Sequence, residues 1–218
     1  MSLGLAWERE NSGFLELSEQ EGFIVVWPLG MEDSWNIGPC CTSSKTIDDL
    51  SFARAIVRQL SNEACVDPKR VYAVGFSMGA GLAYYLACDQ AEVFAAVATS
   101  GMDLLVESER TCKPSRPISS ISFRGTDDTT VPYAGGNVSL LGLPDMTMEV
   151  LGAVGTFEKW ATLDQCSGTP SEADAHGCST YSVCEGGAEV TLCTLEGKGQ
   201  VVGDAKLAWT FLEKHPRP

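Results

Sequence analysis

Short apolar runs alternate along the chain with stretches in which apolar residues recur every three or four positions. The continuous runs are Gly22–Trp27 (GFIVVW), Val71–Phe76 (VYAVGF), Phe94–Thr99 (FAAVAT), Ile118–Phe123 (ISSISF) and Glu189–Leu195 (EVTLCTL). Each is four to eight residues long and rich in β-branched or aromatic side chains, so each predicts a buried strand. Helical spacing appears in Asn11–Gln20 and most clearly in Thr46–Ala64. There Leu50, Ala53, Ile56, Val57 and Leu60 share one face, with Thr46 as the expected N-cap. Helices are also predicted over Met78–Cys88, where Gly79, Ala80, Gly81 and Ala83 allow close packing, and over Thr156–Leu163. A last helix is capped by Asp204, with Leu207, Ala208, Phe211 and Leu212 as its core face. Strands alternating with helices imply an α/β fold, a mostly parallel sheet with helices on both faces. The length of 218 residues suits one domain spanning 1–218.

One junction carries chemistry. The run Val71–Phe76 delivers Ser77 into the pattern Gly75-Phe76-Ser77-Met78-Gly79, directly before a helix of small residues. Strand, sharp turn and helix with serine at the apex is the arrangement of a nucleophile elbow, in which glycines flank a tightly turned backbone. Such a serine needs an acid and a histidine later in the chain. Asp127 and Asp128 follow the Ile118–Phe123 strand, at the strand end where reacting groups of open α/β sheets collect, although aspartates also serve turns. Only His176 and His215 exist, and neither follows a predicted strand closely.

Several further segments make the resemblance specific. They are Trp35-Asn36 with Cys40-Cys41, Asp48-Asp49 with Phe52, Val66–Tyr72, Leu86–Cys88, Phe94–Ala98, the loop Gly125–Gly136, and Gly186–Val190 running to Cys193. Together they resemble the polyhydroxybutyrate depolymerase and feruloyl esterase branch of secreted α/β-hydrolases, from about Gly13 to the end of the chain. The resemblance implies an α/β-hydrolase-type sheet and a serine carboxylic-ester hydrolase without cofactor. It selects Asp128 over Asp127 as the acid, makes the backbone N–H of Met78 an oxyanion donor, and implies a Cys88–Cys112 disulfide.

Two departures qualify it. The turn after the last strand, where the family carries its catalytic histidine, reads Glu196-Gly197-Lys198-Gly199-Gln200. A carboxamide cannot accept the serine proton near neutral pH, so Gln200 in the triad position implies impaired activity. His176, in a cysteine-bounded loop, is the rival base. The family's usual amino-terminal strands and histidine-glycine loop, which supply a second oxyanion donor, have no counterpart in these residues.

Composition narrows the setting. Against 29 acidic residues stand 15 Lys and Arg, a formal charge of −14, so nucleic acid and anionic membranes are not expected partners. No apolar run is long enough to cross a membrane, and the first twenty residues do not read as a signal peptide. Nine cysteines, four of them within Cys166–Cys193, fit disulfides in an oxidising, extracytoplasmic compartment better than a metal site. At least two bridges are expected among Cys88, Cys112, Cys166, Cys178, Cys184 and Cys193, with one thiol left over. Asn137-Val138-Ser139 is a glycosylation sequon. Trp35, Tyr133 and Trp160 are candidates to line a substrate cleft. The expected protein is a monomeric ester hydrolase acting on a small or polymeric ester. The alternative is a catalytically silent relative that binds an ester or polysaccharide, and a third reading makes the serine incidental to a disulfide-stabilised structure.

Overall fold

A sheet of five strands in the order β1-β2-β3-β7-β6 organises the molecule. The structure is a computed structural model and describes residues 5–140 and 143–218. Strands β1 (Tyr72–Phe76), β2 (Ala96–Ser100), β3 (Ser119–Gly125) and β7 (Val190–Leu195) run parallel, and β6 (Cys178–Tyr181) closes one edge antiparallel to β7. The apolar runs form these strands because parallel strands covered on both faces bury every side chain, and β2 and β3 are buried throughout.

Successive residues feed opposite cores. Val97 packs with Leu82, Tyr84, Leu86 and Trp160 on one side of the sheet. Its neighbours Ala96 and Ala98 pack on the other, with Phe14, Phe123, Phe211 and Leu212. The first side is roofed by α3 (Asp49–Glu63), α4 (Met78–Asp89) and α6 (Gly152–Leu163), the second by α2 (Phe14–Glu21) and α7 (Ala205–Leu212). The helices α1 (Leu5–Asn11) and α5 (Val106–Glu109) are shorter, and a hairpin of β4 (Gly136–Leu140) and β5 (Leu143–Val150) stands apart from the main sheet.

Several expectations shift. Gly22–Trp27 is not a strand. It lines a cleft without regular structure, since an apolar run becomes a strand only where a neighbour pairs with it. The helix expected over Asn11–Gln20 is α2, which starts three residues later at Phe14, because Gly13 takes a left-handed φ of 75° and separates it from α1, which ends at Asn11. Thr46 does not cap α3. Asp48 does, its carboxylate accepting from the Ser51 N–H at 2.9 Å, while Thr46 shares its hydroxyl with Ser44. Asp204 caps α7 as expected, accepting from the Leu207 N–H at 2.8 Å.

Four disulfides join Cys40 to Cys41, Cys88 to Cys112, Cys166 to Cys184 and Cys178 to Cys193. The Cys88–Cys112 pair is the one the resemblance implies. Cys178 and Cys193 face each other in the β6–β7 register, so their bridge staples the antiparallel edge to the sheet. Cys65 is free and exposed.

Candidate active site

Ser77 sits where β1 turns into α4, with φ 52° and ψ −119°, outside the regions open to ordinary L-residues. The turn is held from both sides: the Ser77 N–H donates to the Ser100 carbonyl of β2 at 2.8 Å, and the Ser77 carbonyl accepts from Ala80 and Gly81. Only one flanking glycine is sterically required. A Cβ at Gly75 would run into the carbonyl of Gly79, whereas one at Gly79 would meet open space. The strain at Ser77 therefore rests on Gly75 and on the ladder to β2.

Gln200 meets the serine. Its Nε2 donates to Ser77 Oγ at 3.1 Å and to the Gly101 carbonyl at 3.0 Å. Gly101 makes the approach possible, since a Cβ there would stand 2.9 Å from Gln200 Cγ. The turn bearing Gln200 is tied to the acid loop. Asp127 donates its N–H to the Lys198 carbonyl at 2.9 Å, and the Gly197 N–H donates to Thr126 Oγ1 at 2.8 Å.

Asp128 lies in that loop, buried, but its carboxylate is engaged elsewhere. Oδ1 accepts from the N–H groups of Thr130 and Val131 at 2.9 and 2.8 Å, and Oδ2 from Arg124 Nη1 at 3.3 Å. Among the described residues, the hydrogen bonds of the Gln200 side chain go to Ser77 and Gly101. Arg124, at the end of β3 and 0% exposed, also forms a two-point pair with Asp103, both contacts 2.9 Å, and donates to the Val131 carbonyl at 2.8 Å. Burial pushes the Asp103 carboxyl up to about 7; Arg124 opposes that rise and Asp128 adds to it. The sequence reading passed over Arg124 and Asp103. The available signal was an arginine inside an otherwise uncharged strand run (SSISFRG), because a guanidinium there must find buried carboxylates.

The remaining candidates divide. Trp35 lines the cleft at Ser77 together with Cys41, Met78, Thr130 and Gln200. Its loop is pinned by Ser34, whose hydroxyl donates to the Cys41 carbonyl at 2.7 Å and to Met78 Sδ at 3.2 Å. The Met78 N–H opens α4, where the first backbone donors have no partner inside the helix. Tyr133 is not in the cleft lining; its hydroxyl shares a 2.6 Å hydrogen bond with Thr194 Oγ1. Trp160 belongs to the core, stacked on Tyr84 with ring centroids 5.9 Å apart, because a wide apolar ring under a sheet fills volume that no substrate reaches. His176 is exposed in the loop before β6, and His215 packs on Phe211 with Nε2 3.3 Å from Glu189. Neither lines the cleft. No group of three or more metal-ligating side chains occurs among the described residues.

Residues 41–137 match the Dienelactone hydrolase family. That segment holds the elbow, the acid loop and the strands between them. Residues 41–137 are a dienelactone hydrolase family domain. Feruloyl esterase B of Piromyces equi is 39% identical over 219 residues, covering 97% of this chain and 40% of that protein. A probable feruloyl esterase C of Aspergillus niger is 30% identical over 122 residues, 56% of this chain and 42% of the relative. The chain thus spans about two fifths of the length of these relatives. Among solved structures, acetyl xylan esterase from Aspergillus awamori superposes with a TM-score of 0.68 at 15% identity, over 96% of this chain and 84% of that one. At that identity the likeness is one of fold alone, a mostly parallel sheet between helices.

Proposed function

We propose that this chain is a serine carboxylic-ester hydrolase unit of the feruloyl and acetylxylan esterase type, held back by the residue in its base position. The 3.1 Å contact from Gln200 Nε2 to Ser77 Oγ carries this reading. In a working triad the partner of the serine accepts its proton as the oxygen attacks the ester carbonyl. Here the partner donates. The amide nitrogen has no lone pair free for the task, so the serine stays neutral and the attack lacks a base. Ser77 is the nucleophile and the Met78 N–H an oxyanion donor. Asp128 is the acid of the loop, the partner that an imidazole at position 200 would take. The esterase activity for which the relatives are named, with the four disulfides, supports an ester substrate and an extracytoplasmic setting.

Replacing Gln200 by His tests the proposal. Hydrolysis of a short aryl ester should rise by about 10²-fold or more, the usual scale of a general base. Ser77→Ala in that background should remove the gain, and His176→Ala should leave it intact. A Gln200→His protein no faster than the parent overturns the assignment of position 200. The same contact favours a second reading, a silent relative that binds an ester in the old cleft. A fluorophosphonate separates the two in the Gln200→His protein, where labelling of Ser77 requires an activated oxygen in a cleft still arranged for attack.

A further inference from the structure

The sequon at Asn137 takes no part in the Ser77 site, and the fold gives it a setting of its own. Four asparagines occur in the chain, and Asn137 alone is followed two positions on by serine or threonine, with Val138 between. It lies on β4, which pairs with β5 in a two-stranded sheet. Side chains along this hairpin alternate. Val138, Met148 and Val150 are buried with Leu104, Leu105 and Phe157. Asn137, Ser139, Thr147 and Glu149 are exposed. Residues two apart on a strand share a face, so burying Val138 turns both sequon side chains outward together. Among the described residues, no hydrogen bond holds the Asn137 amide or the Ser139 hydroxyl.

Asn137 also stands at a shallow groove of about 200 Å³, whose lining includes Pro39, Leu105, Glu107, Thr147 and Glu149. None of these residues lines the cleft at Ser77. Pockets for free small molecules start at roughly 300 Å³, so the groove is small for one. A group tethered covalently at its rim needs little affinity of its own to occupy it. Pro39 and Leu105 offer apolar surface to the C–H face of a sugar ring, while Glu107, Glu149 and Thr147 supply acceptors for its hydroxyls. We propose that Asn137 is N-glycosylated and that the first N-acetylglucosamine of its glycan lies along this groove. In the transfer, Asn137 Nδ2 bonds to the anomeric carbon of an oligosaccharide carried on a polyprenyl diphosphate. The carbon–oxygen bond to the diphosphate breaks, the lipid diphosphate leaves with the electron pair, and one amide proton passes to a base of the transferase. The inference rests on the extracytoplasmic setting argued above, and not on how Ser77 and Gln200 are read.

The test secretes the full chain from a yeast behind a cleavable leader. The expected product is heavier than the bare polypeptide, and peptide N-glycosidase returns it to that mass while converting Asn137 to aspartate in the peptide map. Asn137→Gln and Ser139→Ala should each abolish the added mass, and Ser139→Thr, which preserves the sequon, should keep it. In glycoprotein trimmed to a single sugar, nuclear Overhauser contacts should join that sugar to Pro39 and Thr147. An unmodified chain that carries the four disulfides overturns glycosylation and leaves the extracytoplasmic setting standing. An unmodified chain with nine free thiols overturns both. Added mass that survives Asn137→Gln places the sugar elsewhere and overturns the site. A sugar on Asn137 without contacts to Pro39 and Thr147 overturns its seat in the groove.

Discussion

Arg124 is the residue on which the acid loop turns. Its guanidinium is wholly buried and contacts two carboxylates from different strand ends, Asp103 after β2 and Asp128 after β3. A buried cation between two buried anions contributes little net attraction after desolvation, but removing it strands both carboxylates. Arg124→Met is expected to destabilise the fold by about 3–5 kcal/mol, read as a lowered denaturation midpoint in urea. Asp103 at this end of β3 and Asp164 at its start make stability sensitive to pH. Burial raises both carboxyls to about 7; at Asp164 a hydrogen bond from the Ile118 N–H and the charge of Arg116 oppose the rise. A carboxyl raised in the folded state binds its proton more tightly there than in the unfolded chain, which releases it near pH 4. Stability from these groups is therefore full below about pH 4 and is lost as pH rises toward 7. The melting temperature should fall between pH 5 and pH 8, and Asp164→Asn should flatten that slope.

At the scale of elements, what the sequence reveals depends on how local the cause is. The elbow was legible because strand, glycine, serine and helix are contiguous, and Asp204 was legible as a cap because its partner Leu207 lies three residues on. Asp204→Ala should lower stability by about 1 kcal/mol, measured by thermal or urea denaturation. Thr46 is the expected cap of α3, but the helix starts at Asp49, so the residue in capping position is Asp48, three before the Ser51 N–H it accepts from. Gly22–Trp27 misled for the opposite reason. Its β-propensity is real, yet a strand exists only as a pair, and among the described residues this run pairs with no strand of the sheet. The β4–β5 hairpin and the short β6 escaped notice because neither carries a continuous apolar run. Trp160 and Trp35 look alike in sequence. One fills the core and the other faces Ser77, a difference made by packing that no spacing records.

For the whole molecule, disulfide connectivity was the least legible feature, since cysteine spacing does not determine pairing. The bridges now give it a measurable consequence. Cys166–Cys184 and Cys178–Cys193 bind the loop-rich stretch before β7 to the sheet edge, where few apolar side chains are buried. Reduction should cost several kcal/mol of stability, and limited proteolysis of the reduced protein should cut first between Cys166 and Cys184. The order β1-β2-β3-β7-β6 adds a consequence in time. The strand at 190–195 is made after β1, β2, β3 and β6, yet it lies inside the sheet, between β3 and β6. Until it arrives, β3 is a bare edge and, among the described residues, the main sheet holds only β1, β2 and β3. Such late, distant pairing makes folding slow and leaves that edge open to wrong partners, so a newly synthesised chain is most exposed to aggregation just before β7 arrives.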